Sequence, residues 1–172
     1  QNRFMPLLGR GGDPAPEIKA MGDVYVRAAQ TAGLPGSRSL FRVAHHLHVS
    51  DTDTKARDEL RATMGPKLDE QKQAAHSDML SRWTRPGDRI EDLSFDYLVD
   101  AGYYFVGDPE TVYGRIKDFY DESDGFGVLL IIAGQGHTSN QQWEHSIRLF
   151  AEHVAPRLAD LDPDRIPAAV SI

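Results

Sequence analysis

The sequence predicts an α/β fold in which parallel strands are joined by helices. Segments with strand-like and helix-like patterns alternate along the 172 residues. Residues 127–133 are continuously apolar, which is typical of a strand buried on both faces of a parallel sheet. The segments between the predicted strands are long enough for helical crossovers, and parallel strands need such connections.

The first elements follow from composition and periodicity. Residues 10–16 are rich in Gly and Pro and predict a loop. Apolar residues at helical spacing predict a helix within 14–32. Residues 41–50 alternate with a period of two, so they predict a strand with an apolar odd face and an unusually polar even face.

The middle of the chain is predicted to be a long, mainly helical segment, here called the excursion. Asp51 or Asp53 is expected to cap a helix that Gly65-Pro66 interrupts. The continuation through residues 67–92 is polar, with few positions suited to a core. We therefore expect this excursion to cross the surface of the fold.

The last third returns to the alternating pattern. Residues 97–106 form an aromatic and apolar stretch that predicts a short strand. Asp108, followed by a proline, is expected to cap the next helix. The apolar strand within 127–133, a Gly-rich polar loop over 134–140 and an amphipathic helix over 143–158 complete the order.

Composition excludes several classes of function. The chain carries 19 Lys and Arg against 26 Asp and Glu, and its cations are scattered, which argues against nucleic-acid binding. It has no cysteine, which excludes disulfides, thiolate zinc sites and cysteine nucleophiles. The longest apolar run, residues 128–133, is far shorter than a membrane helix, and residues 1–10 do not resemble a signal peptide. A cytoplasmic protein without a membrane partner is expected.

Three ordered segments resemble bacterial luciferase-like flavin-dependent monooxygenases. They are the V-G-D-P-E-T-V run at 106–112, the L-F-A-E-H-V-A-P-R-L run at 149–158, and the passage from strand 41–50 into the D-T-D-T-K-A-R run at 51–57. The resemblance implies a TIM (β/α)8 barrel, which needs about 250 residues. We therefore expect residues 1–172 to be one partial domain, the C-terminal part of such a barrel.

The resemblance also assigns places within that barrel. Residues 41–50 would be the seventh strand, 127–133 the eighth, and 14–32 the sixth helix. Residues 54–98 would be a long, lid-like helical insertion after the seventh strand. Because the barrel is partial, we expect the chain by itself to be inactive and to associate.

The function implied by the resemblance is oxidation of a small organic substrate by O2 and reduced FMN. A separate flavin reductase would supply the reduced FMN, and a deazaflavin is the nearest variant. The alternative is a non-catalytic, flavin-binding or partner subunit that completes another chain as a homo- or hetero-dimer. Most contacts to the flavin phosphate would come from loops before Gln1.

The candidate catalytic residues lie on the even face of strand 41–50. If the apolar odd face packs on helices, then His46, His48 and Ser50 point into the barrel, with His48 and Ser50 nearest the catalytic mouth. We expect His48 and His46 to act in proton transfer or hydrogen bonding and Ser50 to contact the cofactor. Buried, purely structural side chains are the alternative, and His45 on the odd face is expected to be structural. Only two of these histidines share a face, so no metal site is predicted.

The loop after strand 127–133 supplies the remaining candidates. Gly134 and Gly136 permit close backbone approach, and His137 adds a donor near a helix start, so all three are expected to contact the cofactor. The alternative is a polar connection whose helix is capped by Ser139 or Asn140.

Overall fold

The computed structural model describes residues 7–8, 14–74, 80–85, 87–132 and 138–161. Within these ranges, four parallel strands form one sheet: β1 (Leu7–Leu8), β2 (Arg42–Val49), β3 (Tyr104–Gly107) and β4 (Val128–Ile132). The α/β class with parallel strands is therefore confirmed.

Strand β2 is the centre of the sheet. Strand β4 pairs with its residues 42–46, while β1 pairs with 42–43 and β3 with 46–49. A strand has only two edges, so β1 and β3 lie end to end along one edge of β2 and β4 lies along the other.

The helices connect these strands in chain order. They are α1 (Ala15–Thr31), α2 (Asp53–Gln73), α3 (Phe95–Asp100), α4 (Pro109–Glu122), α5 (Asn140–Leu149) and, after a π-helical turn at Phe150–Val154, α6 (Ala155–Leu158). Short 3-10 turns occupy Arg38–Leu40, Ser81–Trp83 and Ile90–Asp92. No helix in the described ranges has the length and apolar character needed to cross a bilayer.

The cap of α2 differs from the prediction. Thr52, not Asp51 or Asp53, accepts the Lys55 backbone N–H at the helix start. The carboxylate of Asp53 instead accepts the backbone N–H of Asp108 at the start of α4. Asp108 caps α4 as predicted, and Ser139, one of the two residues named in the alternative for residues 134–140, caps α5.

The prediction that Gly65-Pro66 interrupts the second helix is wrong. Helix α2 runs unbroken from Asp53 to Gln73 with Pro66 inside it. A proline inside a helix costs about 3 kcal/mol because it removes one N–H and crowds the preceding turn. Burial of Leu60 and Leu68 on either side of this proline opposes that cost.

The surface excursion predicted over residues 67–92 is right in part: most of its described residues are not buried, but Leu68 and Leu80 are. The segment between β2 and β3 builds a second apolar core against the even face of the sheet. Its buried members include Ala56, Leu60, Leu68, Leu80, Leu93, Phe95, Leu98, Val99 and Tyr103, together with Tyr104 and Val106 of β3.

The predicted strand at 97–106 is divided between two elements. Ser94 caps helix α3 by accepting the Tyr97 N–H, so the first part is helical. Gly102 turns the chain with a φ of 82°, a value that favours glycine, and only the last three residues of the stretch, together with Gly107, pair as β3.

The odd face of β2 packs on the helices, as predicted. Phe41, Val43, Leu47 and Val49 are buried in a first core with residues of α1, α4 and the π-helical turn. Strand β4 is only partly buried, which departs from the expected burial on both faces, because Leu130 on its other face is 40% exposed.

Candidate functional site

The alternation along β2 separates the histidines as the sequence predicts. His45 lies in the first core, where its ring stacks on Phe105 at 4.4 Å and meets Phe119 edge-on at 4.4 Å. His46 and His48 point to the opposite face, under the segment that follows β2. The even face is therefore covered at its carboxyl end by α2.

His48 forms a buried pair with Glu59 of helix α2. Its Nε2 lies 2.7 Å from Glu59 Oε2, and the two side chains are 2% and 13% exposed. Glu59 lies next to the buried residues Ala56 and Leu60 of the same helix. Sequence reasoning missed Glu59, although helical spacing from Ala56 puts it on the face that turns toward the sheet.

The surroundings of His48 favour the neutral imidazole. Burial lowers the pKa of His48, and the hydrogen bond and charge of Glu59 oppose that shift only in part. A carboxylate accepts hydrogen bonds but cannot donate one, so the neutral ring donates from Nε2 to Glu59. Its Nδ1 is then left as a hydrogen-bond acceptor.

A chain of charged groups continues from Glu59 to the surface. Lys55 Nζ lies 4.0 Å from Glu59 Oε1 and 2.5 Å from Asp51 Oδ2. Asp51 Oδ1 in turn contacts His145 Nε2 of α5 at 2.8 Å. Lys55 and His145 together lower the pKa of Asp51. The carboxyl end of β2 is thus tied to the start of α2 and to the middle of α5.

Ser50 follows β2 and lies wholly inside the structure. Its backbone N–H donates to the Gly107 carbonyl at 3.1 Å. Its Oγ is buried and finds no hydrogen-bond partner within the described part of the chain. A buried hydroxyl in that state is suited to a polar group brought by a ligand. Gly134, Gly136 and His137 lie outside the described residues.

The V-G-D-P-E-T-V run at 106–112 holds two helix starts together. Asp53 Oδ1 accepts the Asp108 backbone N–H at 2.8 Å, and its Oδ2 accepts the Thr111 hydroxyl at 3.1 Å. A Cβ on Gly107 would lie 2.5 Å from Asp53 Oδ1, so only glycine permits this approach. This run therefore acts on structure, fixing α4 against α2.

A cavity of about 160 Å³ lies between α2, α3 and the even face of the sheet. His46 and Tyr104, which are paired neighbours on β2 and β3, form its floor, and their rings meet edge-on at 4.5 Å. His46 therefore faces a cavity while His48 faces Glu59, so the two candidates occupy different surroundings. No group of three or more His, Asp or Glu within the described ranges is arranged to hold a metal ion.

Comparison with known proteins identifies relatives of this chain. No family model matches it. It is 27% identical over 169 residues to 3,6-diketocamphane 1,6-monooxygenase of Pseudomonas putida, covering 92% of this chain and 42% of that protein. It is 28% identical over 145 residues to limonene 1,2-monooxygenase of Rhodococcus erythropolis, covering 82% and 34%. The chain thus spans less than half the length of these relatives.

Solved structures agree with the sequence relatives. The oxygenating constituent of 3,6-diketocamphane monooxygenase from P. putida, a type II Baeyer-Villiger monooxygenase in complex with FMN, matches with a TM-score of 0.72 and 25% identity. That match covers 90% of this chain and 43% of the other. A monooxygenase from Streptomyces bottropensis matches with a TM-score of 0.63 at 21% identity, over 88% and 41%, which supports the fold alone.

Proposed function

We propose that this chain, a relative of the luciferase-like flavin-dependent monooxygenases, forms the C-terminal part of a TIM barrel and one wall of its active site. The fold match to an FMN-bound monooxygenase supports this proposal. So does the parallel pairing of β1, β2 and β4, which suits consecutive barrel strands. Residues 54–98 would then be the insertion after the seventh strand.

The buried His48–Glu59 pair is the observation that carries the proposal. Barrel enzymes place their catalytic groups at the carboxyl ends of the strands, and His48 lies one residue before the end of β2. A buried, neutral imidazole held by a carboxylate is suited to moving a proton near neutral pH. We assign this role to His48 and a secondary one to His46.

The proposed reaction uses reduced FMN and O2 to oxidise a small organic substrate. FMN, when bound, would supply the electrons, and a separate flavin reductase would keep it reduced. Ser50 fits a cofactor contact because its buried hydroxyl has no partner within the described residues. Gly134, Gly136 and His137 remain proposed contacts on the ground that their loop follows β4.

The insertion would act as a lid that keeps water out. Its apolar core covers the even face of β2 and β3 around His48. Excluding water strengthens electrostatic interactions in a site and protects reactive species from hydrolysis.

A second candidate is a partner subunit that completes another chain. Its support is apolar surface: Val24, Leu34 and Leu130 are exposed to 60%, 55% and 40%. Leu130 belongs to β4, which pairs with β2 alone among the described strands, so a partner chain would cover this side chain and the other edge of β4. In either case we propose a homo- or hetero-dimer.

Separate alanine substitutions of His48 and His45 test the catalytic proposal. In the complete protein, supplied with FMN and a reductase, His48→Ala should cut turnover by about 10²-fold or more, the scale of a lost general acid or base. His45→Ala is the matched control, and it should act through stability because His45 packs between Phe105 and Phe119. Full activity of the His48 variant, beside a folded but inactive His45 variant, would refute the assignment.

A further inference from the structure

The start of helix α2 is fixed to another helix by a single carboxylate. Asp53, the first residue of α2, accepts the Asp108 backbone N–H at 2.8 Å and the Thr111 hydroxyl at 3.1 Å. We call these two hydrogen bonds the clasp. Asp108 and Thr111 lie at the start of α4, which follows β3 at the far end of the insertion. The clasp therefore joins the two ends of the insertion through one side chain.

The backbone around the clasp is closely packed. Ser50, which follows β2, donates its N–H to the carbonyl of Gly107 at the end of β3, at 3.1 Å. A Cβ on Gly107 would lie only 2.5 Å from Asp53 Oδ1. The segment that leads from β2 into α2 is thus held against β3 beside the clasp, which leaves the start of α2 little freedom to move.

Helix α2 carries Glu59 from that start to the buried imidazole of His48. Glu59 follows Asp53 by six residues, which corresponds to about 9 Å along an α-helix. Its Oε2 lies 2.7 Å from His48 Nε2. A hydrogen bond weakens when its length or angle departs from the ideal, so this contact depends on where α2 begins. The clasp sets that point.

We propose that Asp53 is a positioning residue for His48. By holding the start of α2 on α4, Asp53 keeps Glu59 against the ring. Glu59 in turn keeps the proton of the neutral imidazole on Nε2 and leaves Nδ1 as the acceptor. This role rests on the proposed function, in which His48 moves a proton. The positioning itself requires no flavin and is measurable on the ring.

The tautomer of His48 tests this role in the complete protein. With histidines labelled with 13C and 15N, NMR gives the ratio of the Nε2–H form to the Nδ1–H form, and His48→Gln identifies the signals of His48. Asp53→Ala removes both hydrogen bonds of the clasp. Asp53→Asn removes the charge but keeps an oxygen for the Asp108 N–H, so it separates the clasp from the charge. Asp58→Asn is the matched control, because Asp58 lies on the same helix and pairs with Arg61 within it.

The ratio of the two tautomers should fall by about 10-fold in Asp53→Ala, the lower end of what a hydrogen bond to a charged group contributes. Asp53→Asn and Asp58→Asn should keep the wild-type ratio. In a Glu59→Gln background, Asp53→Ala should change the ratio no further, because Asp53 acts through Glu59. A wild-type ratio in Asp53→Ala would overturn the proposal, since apolar packing alone would then hold α2. An equal loss in Asp53→Asn would overturn it as well, since the charge would then be the cause.

A milder variant covers the case in which Asp53→Ala does not fold, which thermal melts would show. Thr111→Val keeps the shape of the side chain and removes one of the two hydrogen bonds of the clasp. Its tautomer ratio should fall by about 2- to 3-fold, and an unchanged ratio would overturn the proposal. The ring is observed without turnover, so these outcomes are independent of the activity of His48→Ala.

Discussion

Replacing Glu59 with Gln should weaken the fold and lower the pKa of His48 further. The substitution keeps the shape of the side chain but removes the charge that faces Nε2 at 2.7 Å. A hydrogen bond to a charged group contributes about 1.5–3 kcal/mol, and a neutral one about 0.5–1.5 kcal/mol. With Glu59 only 13% exposed, solvent screens the pair little, so we expect a loss of about 1–2 kcal/mol at pH 7.5.

The pKa change follows from the opposing causes at His48. Glu59 raises the pKa of His48 through its hydrogen bond and its charge, while burial and the nearby His145 lower it. Without the Glu59 carboxylate, burial and His145 lower the pKa of His48 with less opposition. The amide of Gln also accepts or donates, so the ring is no longer restricted to the tautomer with its proton on Nε2.

Two measurements would check this prediction. Urea unfolding at pH 7.5 gives the stability change, and an NMR pH titration of the imidazole carbons gives the pKa and tautomer of His48. Glu70→Gln, on the exposed part of the same helix, is the matched control and should change neither quantity. A Glu59→Gln variant with wild-type stability, or with a raised pKa of His48, would refute the reasoning.

Three further predictions concern the second core, the close approach at Gly107 and the pH dependence of stability. Leu68→Ala should destabilise the fold by about 2–5 kcal/mol in urea unfolding, because Leu68 is 4% exposed in the second core; a loss below about 0.5 kcal/mol would mean that the insertion is not packed as described. Gly107→Ala should cost about 1–3 kcal/mol by driving a methyl group against Asp53, and a neutral result in thermal melts would contradict that close approach. The pKa of His48 is lowered in the folded chain, so below about pH 6.5 the unfolded chain binds more protons and stability should fall as the pH drops. His48→Gln should lessen this fall. An unchanged pH profile of stability in that variant would contradict the lowered pKa of His48.

The insertion shows where sequence reasoning reached its limit. Its polar composition and Pro66 predict a broken surface helix, whereas α2 is continuous and carries buried leucines. Helix α2 has five apolar residues among its 21, so its periodic signal is weak, and its burial depends on an apolar partner surface. That surface is supplied by Tyr104 and Val106, which are far along the chain from Leu60.

Local properties of the chain sufficed for several features of the fold and the site. The alternation along residues 41–50 placed His45 and His48 on opposite faces, because successive side chains of any strand point to opposite sides. The cap at Asp108 is equally local, since its carboxylate accepts an N–H three residues away.

Only the tertiary structure decided the partners of these residues. Glu59 reaches His48 because α2 folds back over the even face of the sheet, and Asp53 reaches Asp108 across 55 positions of sequence. Such contacts depend on how helices pack on strands, and neither periodicity nor capping patterns encode that packing. The contacts that hold His48 and enclose the cavity over Tyr104 therefore depend on the packing of the two apolar cores against the sheet.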